Sequence, residues 1–197
     1  MAIAENDPLC ARLADDLDEA FPELVVQHQQ LVFGIAVRVV GDSGAEDVAQ
    51  EVFVRAYHAL RRYPAERVRE MRLRPWLGRM TINLARNTLR GRRPTTDIAD
   101  LADLADLADH PQSTEGLPHQ HAQRREERRM WARLLAGLPP RYRLAVALRH
   151  VDELSYAELA ETLRRPVGSV KSDVHRGIAL LRAAYDAEQR GIAQEAS

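Results

Sequence analysis

The sequence predicts an all-α protein: two small helical domains joined by a flexible acidic linker. Three observations carry that prediction. Apolar residues recur at three- and four-residue spacing through most of the 197 residues, and no alternating run is bounded by hairpin turns. Helix-start patterns of serine followed three residues later by glutamate occur at Ser43–Glu46 and Ser155–Glu158. Charge falls in blocks, although the formal net charge is only −1. Residues 1–20 hold six acids and Arg12; residues 21–93 hold thirteen arginines against seven acids. Residues 97–115 hold six acids and no base, and residues 124–190 fourteen bases against nine acids. Two basic blocks around an acidic strip indicate two modules that face polyanions.

Composition narrows the class. With 45% apolar and 29% charged residues the chain can bury a core, which excludes wholesale disorder. No run approaches the roughly 18 apolar residues that span a bilayer. The start, Met1-Ala-Ile-Ala-Glu-Asn-Asp-Pro8, has neither a basic nor an apolar signal region. A cytoplasmic protein without membrane insertion is expected. Cys10 stands alone, which rules out an internal disulfide and a multi-cysteine zinc site, and it is expected to be an inert, partly buried thiol. His110, His119 and His121 lie in the linker with no cysteine beside them, so neither a metal nor a cofactor is expected. Gly-rich phosphate loops, HExxH and GxSxG are absent, and an enzyme is the least supported class.

Taken in order, residues 1–20 read as an acidic extension, and the first module as 21–93. From Phe21 to Val40, Leu24, Val25, Leu31, Val32, Ile35, Ala36 and Val39 form a helical stripe ended by Gly41-Asp42. The Ser43–Glu46 box opens a helix to about Leu60, with Val48, Val52, Ala56 and Leu60 inward. Glu46, Asp47, Gln50, Glu51 and Arg55 line its exposed side. Residues 61–75, with Arg61, Arg62, Tyr63 and Arg67 around two prolines, read as a basic loop. From Trp76 to about Arg90 another helix turns Leu77, Met80, Leu84 and Ala85 inward. Its other side presents Arg79, Asn83, Arg86 and Arg90 at offsets 0, 4, 7 and 11, with Asn87 beside them. Trp76 and Tyr57 could unstack bases, but Trp76 beside Leu77 reads better as core.

Residues 94–123 read as a linker. Asp97-Ile-Ala-Asp-Leu-Ala-Asp-Leu-Ala-Asp-Leu-Ala-Asp109 repeats a tripeptide, a period that drifts around a helix instead of building one face. The second module reads as 124–187, followed by a tail at 188–197. It comprises a helix to Leu138, another from Pro139-Pro140 through His150, a third opened by Ser155–Glu158, and a last from Ser169 to about Tyr185. The final pair, joined by Arg164-Arg-Pro-Val-Gly168, has the spacing of a helix-turn-helix. With Val170, Val174, Ile178 and Leu181 inward, Ser169, Ser172 and Arg176 are placed outward, Asp173 and His175 on the flanks, and Lys171 laterally, suited to phosphate.

Asp42-Ser-Gly-Ala-Glu-Asp-Val-Ala-Gln-Glu-Val-Phe-Val-Arg-Ala-Tyr57 resembles the signature helix of region 2 in bacterial sigma factors, and Trp76–Asn87 resembles the helix after it. Leu138-Pro-Pro-Arg-Tyr-Arg143, Leu154-Ser-Tyr-Ala-Glu-Leu-Ala160 and Val167-Gly-Ser-Val-Lys-Ser172, with His175-Arg176, resemble region 4. A chain with only these two regions is similar to the extracytoplasmic-function group of the sigma-70 family. The resemblance implies the following roles. Glu46, Asp47, Gln50, Glu51 and Arg55 would dock on the beta-prime clamp helices of core RNA polymerase, with the beta subunit as a further partner. Arg61, Arg62, Tyr63, Arg67, Arg79, Asn83, Arg86, Asn87 and Arg90 would meet promoter DNA at the −10 element and help to melt it. Ser169, Lys171, Ser172, Asp173, His175 and Arg176 would meet the −35 element. An anti-sigma factor is the expected regulatory partner. Asp173 departs from the arginine common there, and it would repel phosphate or accept from a cytosine amine. The 61–75 loop is longer than usual. The acidic repeat would imitate nucleic-acid charge within the polymerase or serve only as a tether. A free-standing helix-turn-helix regulator, or an adaptor held by an anti-sigma partner, remains an alternative. The joined acidic helix and basic stripe discriminate against the first of these.

Overall fold

The computed structural model describes residues 7–91 and 129–195, in which every regular element is a helix. The acidic repeat and the linker histidines lie outside the described residues. The described helices fall into two compact units.

The first unit begins earlier than its hydrophobic stripe suggested. Asp7 accepts the Leu9 N–H at 3.0 Å and Pro8 supplies a preset φ, so α1 (Pro8–Asp15) starts with both common N-terminal devices. It buries Leu9, Cys10 and Leu13. Residues 8–15 are therefore packed on the rest of the first unit. Asp16 closes α1 through its backbone N–H, donated to the Arg12 carbonyl at 2.8 Å. Its carboxylate also opens α2 (Leu17–Val40) by accepting the Glu19 N–H at 3.0 Å.

Along α2 the buried residues are Ala20, Leu24, His28, Leu31, Val32, Ile35, Ala36, Val37 and Val40; Val25 and Val39 are half-buried. Gly41, at φ +77°, adopts a backbone that an L side chain would strain, and α3 (Asp42–Leu60) begins directly after it. No side chain caps that start, so the box expected at Ser43–Glu46 does not form; both residues are already inside the helix. α3 buries Val48, Val52, Ala56 and Leu60 as the stripe predicted.

The expected 61–75 loop is largely ordered helix. A turn leads to α4 (Ala65–Arg69), whose Val68 is buried, and α5 (Leu73–Gly91) starts three residues before Trp76 because Leu73 and Pro75 also join the core. Trp76 is buried, as are Leu77 and Ala85, whereas Met80 and Leu84 are half-buried. α2 packs on α1, α3 and α5, while α1 also packs on α4.

The second unit contains α6 (described over 129–136), α7 (Pro140–His150), α8 (Tyr156–Leu163) up to Ala160, and α9 (Val167–Glu195). The Ser155–Glu158 box forms as expected. The Ser155 N–H donates to Glu158 Oε2 at 2.8 Å and the Glu158 N–H donates to Ser155 Oγ at 3.2 Å. Leu138, Ala145, Val146, Leu148, Leu154, Leu159, Val170 and Val174 form the core. α9 runs to Glu195 through the segment expected as a tail. Near its middle Tyr185 stacks on Trp131 of α6, with centroids 5.3 Å apart, and Glu188 pairs with Arg133 at 3.1 Å.

Candidate nucleic-acid interface

Three surfaces collect the residues singled out above. On α3, burial of positions 48, 52 and 56 turns Glu46, Asp47, Gln50 and Arg55 to solvent, with Glu51 half-buried beside them. Gln50 Nε2 donates to Glu46 Oε1 at 3.4 Å and Arg55 Nε to Glu51 Oε1 at 2.6 Å, both one helical turn apart. The second contact offsets Arg55 against Glu51, which leaves Glu46 and Asp47 to set a negative potential. Val54, 50% exposed, lies between Asp47, Gln50, Glu51 and His58 on the same face. Sequence reasoning did not single it out, although its register was readable.

The second surface spans the turn after α3, α4 and α5. Arg61 and Arg62 are exposed. Tyr63 is half-buried, edge-on to Trp76 at 6.4 Å between centroids, and the Arg67 guanidinium lies 3.6 Å from the Tyr63 centroid. The cation over the phenol, and the phenol edge-on to the indole, come together because α4 folds where a loop was expected. Asn83, Arg86, Asn87 and Arg90 are exposed along α5, with Arg79 half-buried at the upper end of the stripe. An exposed row of guanidinium and amide groups can donate to phosphates and to unpaired base edges.

The third surface is the first three turns of α9. Lys171, Ser172, His175 and Arg176 are exposed and Ser169 is half-buried. Ser172 Oγ donates to the Gly168 carbonyl at 2.9 Å, so it faces outward chiefly as an acceptor. Lys171 Nζ and the Arg149 guanidinium lie 5.6 Å and 5.3 Å from the Tyr156 centroid.

Asp173 is the exception. Its side chain is 1% exposed and receives Arg141 Nε at 2.9 and 3.0 Å, Arg141 Nη2 at 2.8 Å and Arg165 Nη1. Burial by itself would push this carboxyl up. The hydrogen bonds from Arg141 and Arg165, with their charges, outweigh that and hold it below the usual carboxylate range. Asp173 keeps the flank of α9 that the helical wheel gives it, but its side chain turns into the interior and not to solvent. Residues 170, 173, 174 and 177 are all buried, and both Asp173 oxygens are engaged by guanidinium groups. Arg141, 32 residues away, was not singled out, and only the inward phase of position 173 could have pointed to a partner.

The fold defines an all-α, two-module protein whose second module ends in a helix-turn-helix. Residues 24–95 match the family model described as Sigma-70 region 2, and residues 128–181 match Sigma-70, region 4. The chain is 33% identical over 196 residues to the RNA polymerase sigma-H factor of Pseudomonas aeruginosa, covering 98% of this chain and 97% of that one. It is 32% identical to the ECF RNA polymerase sigma-E factor of Escherichia coli K12, covering 85% of this chain and 87% of that one. Among solved structures, CnrH in complex with the cytosolic domain of CnrY superposes with a TM-score of 0.62 at 26% identity, over 91% of this chain and 96% of that one. RpoE of Bartonella quintana, in complex with the anti-sigma factor NepR, shares the fold with a TM-score of 0.59 at 18% identity, over 84% and 96%. The chain belongs to the extracytoplasmic-function group of the sigma-70 family. It is a DNA-binding transcription initiation factor, and the region 2 match sets aside the reading as a free-standing regulator. Among the described residues, no helix is long and apolar enough to cross a membrane.

Proposed function

We propose that the chain docks on core RNA polymerase through α3, melts and reads the −10 element with the α4–α5 surface, and reads the −35 element with α9. The observation that carries this division of labour is the joining, within one unit, of the acidic face of α3 to the cationic stripe of α5. A protein that only bound duplex DNA would gain nothing from an acidic docking helix, since carboxylates oppose phosphate. On α3, Glu46, Asp47, Gln50, Glu51 and Arg55 supply polar complementarity around Val54, a charged rim about an apolar centre. On the −10 side, Tyr63 and Arg67 offer a flat stacked surface to an unpaired base, and Arg79, Asn83, Arg86, Asn87 and Arg90 line the path of the strand.

On α9, Arg176 reads a base edge with Ser169, Ser172 and His175 around it, while Lys171 meets phosphate. Binding supplies the free energy for opening, a few kcal/mol per unstacked base, with no chemical step and no cofactor. The protein works in the cytoplasm beside the polymerase, and an anti-sigma factor holds it inactive. That a sigma factor of this fold is known in complex with an anti-sigma factor supports the last point.

Run-off transcription with purified core polymerase on genomic DNA tests this reading. Discrete start sites that appear only when the chain is added are expected. Stable association with core and no promoter-dependent transcript would overturn it.

A further inference from the structure

The Arg141–Asp173–Arg165 cluster contains more than a helix staple needs. Arg141 belongs to the first turn of α7, Arg165 to the turn between α8 and α9, and Asp173 to the second turn of α9. One carboxylate thus ties three segments together. Its two oxygens accept from two guanidinium groups, leaving the cluster with a net charge of about +1. The burial is one-sided. Asp173 is 1% exposed, whereas the side chains of Arg141 and Arg165 keep 58% and 29% of their surface. Arg141 donates through Nε and Nη2, so part of its five-donor fork remains for another acceptor.

Position completes the argument. At 100° per residue, Asp173 and Lys171 lie 200° apart around α9, on opposite flanks of the face that carries Ser172, His175 and Arg176. A helix in the major groove runs between two phosphate strands, so both of its flanks meet backbone. One flank carries Lys171 beside Arg149 and Tyr156. The other would carry no cation of α9's own, because position 173 is an acid.

We propose that Asp173 is a positioning residue that holds Arg141 and Arg165 as a preorganised phosphate grip on the second flank of the reading helix. The acid supplies no contact to DNA. It takes the place of a cation on α9 by fixing two cations brought from neighbouring segments, and orders the long Arg141 side chain before DNA arrives. This rests on α9 being the −35 reader.

The test measures binding of the full chain, in complex with core polymerase, to the duplex that the wild-type complex enriches from a random-sequence pool. Affinity is followed against salt, and melting curves and circular dichroism check the fold. Removing a negative charge by Asp173→Asn should strengthen DNA binding if charge alone mattered. The grip requires the opposite: binding weakened by about three- to tenfold, and a salt dependence shallower by about one phosphate. Arg141→Ala should do the same. Arg141→Lys, which keeps the charge but not the fork, should restore the salt slope only in part, and it decides the matter if Asp173→Asn does not fold. Tighter binding by Asp173→Asn would mean that the acid repels backbone, and lost preference at one base pair would mean that it reads a base. A lowered melting temperature with unchanged binding would leave a purely structural pair. Each of these three results overturns the proposal. Enrichment of no sequence by the wild-type complex would instead remove the −35 assignment itself.

Discussion

Gly177 of α9 lies so close to Val146 of α7 that a methyl group placed on it would overlap Val146 Cγ2 and sit 3.3 Å from Tyr142 Cβ. α9 is thus seated by an approach to α7 that leaves no room for a Cβ, one residue beyond Arg176. Gly177→Ala should destabilise the second unit. Overpacking costs about 1–3 kcal/mol, at or above the roughly 1 kcal/mol that alanine gains in helix propensity. Denaturant unfolding of the full chain measures this, and a midpoint equal to or above wild type would show that α7 yields freely.

Polymerase docking can be separated from folding on α3. Asp47→Arg combined with Glu51→Arg reverses the charge of the exposed face and breaks only the Glu51–Arg55 pair, a surface contact of about 0.3–0.5 kcal/mol. Helicity and melting should change little, while co-purification with core polymerase should be lost. Undiminished association would move the docking surface elsewhere.

Base reading and phosphate binding should respond differently on α9. Arg176→Ala is expected to cost about 1–3 kcal/mol on the preferred −35 duplex and to relax preference at one position. Lys171→Ala should weaken all sequences alike and reduce the salt slope by about 1. Competition binding on a panel of single-base variants distinguishes them. Uniform loss for both would deny Arg176 its reading role.

Cys10 should be unreactive in the folded chain. Its side chain is fully buried and its thiol donates to the Met71 carbonyl at 3.3 Å. Burial, reinforced by the nearby Asp7 charge, pushes the thiol up to about 11 from an ordinary 9.0. Iodoacetamide at pH 8 should therefore modify the native protein far more slowly than the unfolded one. Because the unfolded thiol ionises first, stability should decline as pH rises from 9 towards about 11, and Cys10→Ala should remove that part of the alkaline slope. Native labelling as fast as unfolded would place the thiol at the surface.

Local sequence signals sufficed for part of the fold. The Ser155–Glu158 box, the α3 core stripe and burial of Trp76 depend on neighbours within a few residues, and each is as the sequence indicated. Ser43–Glu46 carries the same pattern and fails because Gly41, at positive φ, starts the helix two residues earlier. Asp173 fails for a non-local reason. A wheel phased on Val174 leaves a carboxylate on the flank, and only two guanidiniums from other segments make its burial tolerable. α4 was obscured by its arginines, because one buried residue, Val68, is all that gives a five-residue helix its inward face.

α1 has a practical consequence for dissecting the molecule. Leu9, Cys10 and Leu13 are each no more than 3% exposed, and Asp15 and Arg12 pair with Arg69 of α4 and Glu23 of α2. A fragment trimmed at residue 21, where the hydrophobic stripe begins, would lose this cover together with the Asp16 cap of α2, uncovering the apolar surface beneath. Such a fragment should clump or be degraded when produced alone, whereas one that starts at Asp7 keeps the cap, the cover and both pairs. Protease nicking between Asp15 and Leu17 would open the same seam, so a cut at Asp16 should unsettle the first unit while leaving the helices of the second intact.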